Sequence, residues 1–278
     1  RHQRKFISIL QSSFNSTRGK MKKFVLLLII SNLTIKIGFA QGTAGENAKY
    51  EYRQLIDMPT AGVVQKGSYG LSTELLPYGT LIVKLEAGII ENLSIGLSYG
   101  GSNIIGSGDI NWYKFPPGVN LRFRLFDESL VIPALTLGFD TQGKGEYFEE
   151  AKRYEIKAPG FFAAACKNFS VLGYLSLHGE INYSILEDND GDNFINLMVG
   201  AEKTLGSSFS VLAEYNFAFN DNSTNEFGEG KGYLNMGVRW SISNGVTFGF
   251  DLRDLLGNSS FDTNAADRGM VIEFIQKI

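Results

Sequence analysis

The chain has 278 residues, a formal net charge of −3, 44% hydrophobic residues, 32 glycines, 6 prolines and one cysteine. Its length suits one large β domain, because sandwiches and barrels reach about 200 to 250 residues as single units. A near-neutral balance of charge argues against nucleic acid as a partner. The single cysteine, Cys166, excludes an intrachain disulfide and any metal site built from several cysteines.

The amino-terminal segment predicts export. The sequence from Met21 begins MKK, continues with an apolar run over residues 24–30 and reaches a small-residue cleavage site at Ala40. The apolar run is much shorter than the ~20 residues that a membrane-spanning helix needs. We therefore predict a signal peptide over residues 21–40, and we treat residues 1–20 as an upstream extension outside the fold.

The remaining chain divides into a lead and a strand-rich domain. Residues 41–66 are polar and irregular, with a turn pattern at 58–62, and predict a short periplasmic lead. Residues 67–278 carry runs in which apolar and polar side chains alternate with a period of two, the period of a β-strand. The predicted strands are 68–75, 80–89, 93–99, 118–126, 130–139, 160–167, 172–183, 194–203, 209–219, 232–241, 246–253 and 268–275.

The connections between these strands alternate in length from the second strand onward. Short links fall at 91–92, 127–129, 168–171, 205–208 and 243–245. Long polar links fall at 100–117, 140–159, 184–193, 220–231 and 254–267. This alternation is typical of outer-membrane barrels, which have short periplasmic turns and long extracellular loops. The first link, at 76–79, is the exception because it is short on the extracellular side.

The fold prediction is therefore an all-β, antiparallel transmembrane β-barrel of about 12 strands over residues 67–278, in the outer membrane of a Gram-negative bacterium. In the strand over 246–253, for example, Val246 and Phe248 alternate with Thr247 and Gly249. Such apolar faces would meet lipid and the polar faces would line a lumen. Aromatic residues near strand ends suit interfacial girdles. They are Tyr99, Phe139, Tyr183, Phe219 and Trp240.

Charges of both signs fall on the polar faces of the predicted strands. The predicted lumen-lining residues are Lys84, Glu86, Arg122, Arg124, Glu180, Glu202, Glu214, Arg239, Asp251 and Arg253. A barrel of this size is wider than the eight-stranded kind that side chains fill and narrower than an open porin. Two interpretations stay open: a salt-bridged interior that stabilises a closed barrel, and a narrow polar conduit.

Ser176, His178 and Glu180 suggest a catalytic group, because some outer-membrane phospholipases place Ser and His on one strand. Alternate residues of a strand are about 6.5 Å apart, however, which is too far for a direct hydroxyl to imidazole hydrogen bond. The order and the inward face also differ from the phospholipase arrangement. We therefore predict no enzyme activity and no cofactor.

An acidic stretch offers one weak metal candidate. Asp188, Asp190 and Asp192 occupy the first, third and fifth positions of a calcium-like loop. Glycine stands at the fourth position instead of the sixth, and position twelve is Val199, so the EF-hand pattern fails. An exposed acidic loop is the simpler interpretation, with weak Ca²⁺ bridging as the alternative.

The end of the chain carries a targeting pattern. Residues 267–274 resemble the carboxy-terminal recognition strand of outer-membrane proteins, although the chain continues to Ile278. The resemblance implies the barrel-insertion machinery and outer-membrane lipid as partners.

Several glycine-rich pieces carry a family resemblance. These are PTAG at 59–62, KGSY at 66–69, LSYGG at 97–101 and LGFD at 137–140. Together they resemble the YjbH-type family of outer-membrane proteins over most of residues 57–255. The resemblance implies a barrel that assists exopolysaccharide export or envelope structure, with polysaccharide or export-system proteins as partners. A narrow solute channel and a lipid-modifying enzyme are the alternatives.

Overall fold

The structure is a computed structural model that describes residues 50–114, 116–187, 189–222, 227–243, 245–260 and 267–278. The predicted signal peptide at 21–40 and the extension at 1–20 lie outside the described residues. Within the described ranges, no helix combines the length and the apolar character needed to cross a bilayer.

The strands follow the chain order of the predicted pattern. Their bounds are β1 Ser68–Leu76, β2 Thr80–Ile90, β3 Leu93–Ser102, β4 Asn111–Trp112, β5 Gly118–Phe126, β6 Ala134–Asp140, β7 Lys144–Phe148, β8 Arg153–Ile156, β9 Gly160–Ser170, β10 Tyr174–Tyr183, β11 Asn196–Leu205, β12 Phe209–Asn216, β13 Tyr233–Ser243, β14 Val246–Arg253 and β15 Asp267–Lys277. A 3₁₀ turn at Pro77–Gly79 joins β1 to β2.

Twelve of these strands close into a barrel. Each pairs antiparallel with its neighbours in the order β1, β2, β3, β5, β6, β9, β10, β11, β12, β13, β14, β15, and β15 pairs back to β1. At this seam Leu71 of β1 lies opposite Phe274 of β15 on one side and Leu85 of β2 on the other. Closure leaves no unpaired sheet edge, which is the condition for a sheet to span a bilayer.

The barrel is apolar outside and polar inside, the reverse of a water-soluble protein. On the outside, Leu97 is 58% exposed and Leu85 is 51% exposed, whereas the inward Glu86 is 3% exposed. Other outward apolar side chains include Val83, Ile95, Leu121, Phe123, Leu137, Ile181, Val199, Val238, Phe250 and Ile272. This surface suits lipid and would aggregate in water. The predicted transmembrane barrel of about twelve strands is confirmed.

Two details of the strand pattern differ from prediction. The strand predicted over 130–139 begins at Ala134, because Pro133 directly before it has no N–H for the ladder. The long loops also contain strands of their own, since β7 pairs with β8 inside the loop between β6 and β9. Short pairings within a loop do not continue the period of the barrel strands, so the pattern did not reveal them.

The predicted periplasmic lead requires a correction. Its described part, residues 50–66, lies inside the barrel, where Leu55, Met58 and Thr60 are almost fully buried. Residues 52–61 fold back on themselves and form what we call the lumenal hairpin. After the hairpin, the chain passes β2 very closely. A Cβ on Gly88 of β2 would lie 2.1 Å from the carbonyl oxygen of Gln65. Only glycine fits that approach.

We expect a charge on the outer face to destabilise the barrel. Leu97→Arg places a cation at mid-strand against lipid and should lower the free energy of unfolding by about 2 to 4 kcal/mol. Urea unfolding of protein refolded in lipid vesicles, followed by heat-modifiable gel mobility, measures this. Val131→Arg is the control, because Val131 is 87% exposed in the turn between β5 and β6 and should lose less than about 1 kcal/mol. Equal losses in the two variants would contradict a lipid-facing β3.

Candidate functional site

The lumenal hairpin is the candidate functional site. It closes on itself through hydrogen bonds from Leu55 N to Met58 O and from Thr60 N to Arg53 O, each 3.0 Å long. The Thr60 hydroxyl also donates to the carbonyl of Tyr52. The two limbs therefore run antiparallel, with a tight turn at residues 55–58 as the tip and the base toward the periplasmic turns.

The tip of the hairpin is held by one carboxylate of the barrel wall. Glu214 of β12 accepts the backbone N–H groups of Ile56, Asp57 and Met58 at 3.0, 2.8 and 3.2 Å. Asn235 of β13 donates to the same carboxylate at 2.9 Å. Hydrogen bonds to a charged acceptor are stronger than neutral ones, so Glu214 fixes the position of the turn.

Asp57 anchors the same turn through its side chain. Its carboxylate accepts both bonds of a forked contact from Arg253 Nε, at 3.0 and 3.1 Å, and lies 3.1 Å from Lys144 Nζ. Lys144 comes from β7, in an extracellular loop, and also donates to the carbonyl of Ile56 at 2.8 Å. The hairpin tip is therefore the point where the segment that precedes β1 meets an extracellular loop.

The base of the hairpin is held by arginines. Arg53 pairs with Glu86 of β2, at 2.5 Å, and with Glu273 of β15. Arg124 of β5 donates to the carbonyl of Ala61 at 2.7 Å. Guanidinium groups bind carboxylates and carbonyls in a fixed fork. These contacts therefore hold both limbs against the part of the wall formed by β15, β2 and β5.

An apolar contact completes the packing. Leu55, Ile56 and Met58 of the hairpin form a buried cluster with Met198 of β11 and Leu212 of β12. Burial of such a side chain stabilises by about 1.5 to 3 kcal/mol. Met198 and Leu212 stand on the inward faces of their strands, among polar residues. Sequence reasoning missed the hairpin, and these two inward apolar residues were the signal that could have indicated it.

The structure places all ten predicted lumen-lining charges on the inward face of the barrel. Nine are buried, and the tenth, Lys84, is partly buried. Arg53, Asp57, Glu74, Asp140 and Glu273 join them. The network therefore combines barrel wall and hairpin, which the interpretation of a salt-bridged interior did not include.

The residues that suggested catalysis do not form a catalytic group. The Ser176 hydroxyl bonds to the side chain of Asn168, and in the described part of the chain neither ring nitrogen of His178 has a hydrogen-bond partner. Glu180 contacts Asn182 at 3.1 Å. No base therefore activates the hydroxyl. The absence of enzyme activity stays a prediction.

The extracellular loops are tied together by Arg153 of β8. Its guanidinium pairs with Asp190 at 2.7 Å and Asp221 at 2.5 Å, and it lies 3.9 Å above the ring of Phe227. Lys157 pairs with Asp190 as well, at 2.7 Å. Three extracellular loops thus meet at two buried cations.

The same contacts argue against the predicted calcium site. Asp188 lies outside the described residues, and the carboxylate of Asp190 is already neutralised by two cations. Within the described ranges, no three His, Cys, Asp or Glu side chains are grouped to hold a metal ion. Asp190 therefore serves as an ion-pair partner and is not free to act as a calcium ligand.

Two carboxyl groups of the loops, the buried Glu187 and the half-buried Glu155, have no ion pair within the described residues. Burial raises the pKa of Glu187 to about 7, although the backbone N–H of Ala158 donates to it at 3.2 Å. Burial raises the pKa of Glu155 to about 7 as well, with a further contribution from the negative charge of Asp267. Both groups therefore titrate near neutral pH.

The lumenal hairpin lies between two cavities. A cavity on the extracellular side is lined by the hairpin tip, with Asp57 and Pro59, and by loop residues such as Asn182 and Asn220. A second cavity, on the periplasmic side, is lined by the hairpin base and by His178. The hairpin therefore occupies the middle of the path through the barrel.

Comparisons with known proteins concern the fold only. No protein-family model and no curated protein matches the chain. Among solved structures, it is similar to a KdgM porin, with 8% identity and a TM-score of 0.47 over 74% of this chain and 98% of that chain. It is also similar to a NanC porin (9% identity, TM-score 0.40, 76% of this chain and 99% of that chain). The Acinetobacter baumannii outer membrane protein Omp33 is a third (7% identity, TM-score 0.40, 76% and 98%).

Protection of Arg53 tests the position of the hairpin. Arg53 is 4% exposed, so an arginine-specific protease should not cut the folded barrel there. Asp57→Ala removes a carboxylate from two buried cations, should weaken the hold on the tip by about 3 kcal/mol, and should make cleavage at Arg53 faster. Mass spectrometry of the fragments measures the rate.

Asp127→Ala is the matched control for this cleavage. Asp127 pairs with Arg124 at the periplasmic rim, and its side chain is 80% exposed, so its loss should leave Arg53 protected. Rapid cleavage of the unmodified protein at Arg53 would contradict the lumenal position of the hairpin.

The loop contacts should depend on pH. A carboxyl group whose pKa is raised on folding stabilises the folded form below its ordinary pKa, and that contribution is lost as pH rises through the folded value. For Glu187 the loss falls between about pH 4.5 and 7. Amide hydrogen exchange over residues 153–158, corrected for intrinsic rates, should therefore be faster at pH 8 than at pH 5. Glu187→Gln should remove most of the difference, and an unchanged difference would assign it to another group.

Proposed function

We propose that the protein is an outer-membrane channel that its own lumenal hairpin holds closed. The observation that carries this proposal is the position of the hairpin across the lumen, between a cavity on each side. The apolar belt and the long extracellular loops support the location in the outer membrane.

The way the hairpin is held supports a displaceable closure. The twelve barrel strands complete their ladder without it, because β1 pairs with β2 and β15. Between the hairpin tip and the barrel, the contacts are side-chain hydrogen bonds, ion pairs and apolar packing. Such contacts can be exchanged for water without breaking the barrel, whereas loss of a strand would open its wall.

The path that withdrawal would open is polar. The inward face carries the charged side chains described above, together with amides such as Asn120, Asn196 and Asn235. Water and small polar solutes can be solvated by such a wall. A lumen lined in this way fits a channel for hydrophilic solutes of modest size.

Conductance in planar bilayers tests the channel. The unmodified protein should be mostly silent. Arg53→Ala combined with Asp57→Ala removes the charged anchors at the base and the tip, and should give frequent openings. Val131→Ala serves as the control. Val131 lies in an exposed turn that is far from the hairpin in the sequence and does not contact it. Silence of the double variant, in protein shown by heat-modifiable mobility to be folded, would contradict the channel.

A role in exopolysaccharide export or envelope structure is the second candidate. The feature that favours it is the extracellular cavity, whose amide and hydroxyl side chains, among them Asn182, Ser184 and Asn220, offer the donor and acceptor pairs that sugar hydroxyl groups use. The test is the surface polysaccharide of a strain that lacks the gene. Unchanged amount and attachment of the polymer would contradict this role.

A lipid-modifying activity has less support. His178 is the one base beside Ser176, and the two side chains have no contact. An unchanged lipid profile after His178→Ala would agree with a barrel that is not an enzyme. Recognition by the barrel-insertion machinery stays a prediction from the carboxy-terminal strand.

A further inference from the structure

The charges that hairpin withdrawal would leave on the wall are not balanced. Each basic side chain of the inward face keeps a carboxylate that belongs to the barrel or to its rim. Lys84 keeps Asp140 at 2.8 Å, Arg122 keeps Glu86 at 3.8 Å, Arg124 keeps Asp127 at 3.2 Å, Arg239 keeps Asp251 at 2.5 Å, and Arg253 keeps Glu74 at 3.9 Å. Lys144 of the β7–β8 hairpin also keeps Glu74, at 2.6 Å.

Two wall carboxylates lose their partners when the hairpin leaves. Glu273 pairs with Arg53 of the hairpin. Glu214 loses three backbone N–H donors of the tip and keeps the neutral amide of Asn235. Both groups would then face the lumen as uncompensated acids.

Two further wall carboxylates have no basic partner even with the hairpin in place. Glu180 contacts the amide of Asn182, and within the described residues Glu202 has no ion pair and its Oε1 has no hydrogen-bond partner. Glu180, Glu202 and Glu214 stand on the consecutive strands β10, β11 and β12. The three carboxylates are staggered along the lumen, since Glu202 lies level with Ser176 of β10 and Leu212 of β12. We call these three residues the acidic strip.

Hydration would make the strip effective. A carboxyl group in water ionises near pH 4, so at neutral pH an opened, water-filled lumen would carry these negative charges. A cleft of one sign within low-dielectric walls concentrates counter-ions at least tenfold. The basic side chains would not cancel this field, because these six cations already face five carboxylates, with Glu74 shared by Arg253 and Lys144. The four acids Glu180, Glu202, Glu214 and Glu273 come in addition.

We propose that the lumen opened by hairpin withdrawal selects cations, through the acidic strip of Glu180, Glu202 and Glu214 and through Glu273. The inference rests on the proposed channel and names the class of solute that it passes. Small inorganic cations and organic amines belong to this class, and anions of equal size would be excluded.

Reversal potentials of the full-length Arg53→Ala, Asp57→Ala protein test the selectivity. In a KCl gradient at low ionic strength, where screening is weak, the K⁺ over Cl⁻ permeability ratio should be on the order of ten. Adding Glu180→Gln and Glu202→Gln should bring this ratio down toward one. These two residues are chosen because, among the described residues, neither forms a hydrogen bond or ion pair with the lumenal hairpin, so the opening rate should change little.

The matched control removes the same number of carboxylates from the loops. Glu149→Gln and Glu229→Gln, in the same opened background, neutralise side chains that are 62% and 53% exposed in ion pairs with surface lysines. The permeability ratio should stay within about twofold of the opened parent, since exposed charges are screened by salt.

The outcomes separate the two proposals. Openings with a reversal potential at zero or on the Cl⁻ side would contradict the cation preference and leave the channel standing. An equal fall of the ratio in the control would also contradict the acidic strip. Silence of a folded opened variant would contradict the channel itself.

Discussion

Charged side chains point inward from most strands of the barrel, and inside a narrow lumen each of them has to be paired or hydrated. The contact between Glu214 and the turn of the hairpin shows how the chain meets this constraint. Three backbone N–H groups and one amide converge on a carboxylate that would otherwise be buried alone. An isolated buried charge is costly, so the position of the hairpin and the charge on the wall depend on each other.

The same constraint explains why the hairpin has mixed chemistry. Arg53 and Asp57 satisfy wall charges of both signs, while Leu55 and Met58 fill the space that polar side chains leave beside Met198 and Leu212. A purely apolar hairpin would leave the charges of the wall without partners. A purely polar one would lose the packing that fixes its depth in the barrel.

The barrel could be predicted from the sequence because its signals are local. A period of two marks every strand, and the alternation of loop lengths marks the two ends of the barrel. The inward position of Arg239 and Asp251 followed from the period, and their pairing at 2.5 Å joins diagonal neighbours on the adjacent strands β13 and β14. The part of the charge network that joins neighbouring strands could therefore be predicted from the sequence.

The hairpin could not be predicted in the same way, because its partners are distant in sequence. Ile56 and Glu214 are 158 positions apart, and Arg53 and Glu273 are 220 apart. Nothing in a single sequence links such positions, and a polar, irregular stretch reads equally well as a free lead. The segment has no regular period because its residues contact different strands of the wall.

The position of Arg53 also bears on how the barrel is assembled. Its two carboxylate partners, Glu86 on β2 and Glu273 on β15, belong to the strands on either side of β1, and β1 with β15 forms the seam between the first and last strands. The guanidinium therefore links β2 to β15 from inside the barrel. It does so across β1, the strand that follows the hairpin in the chain. Arg53 can hold both carboxylates only when β15 lies beside β1. Its two ion pairs therefore couple the position of the hairpin to closure of the barrel.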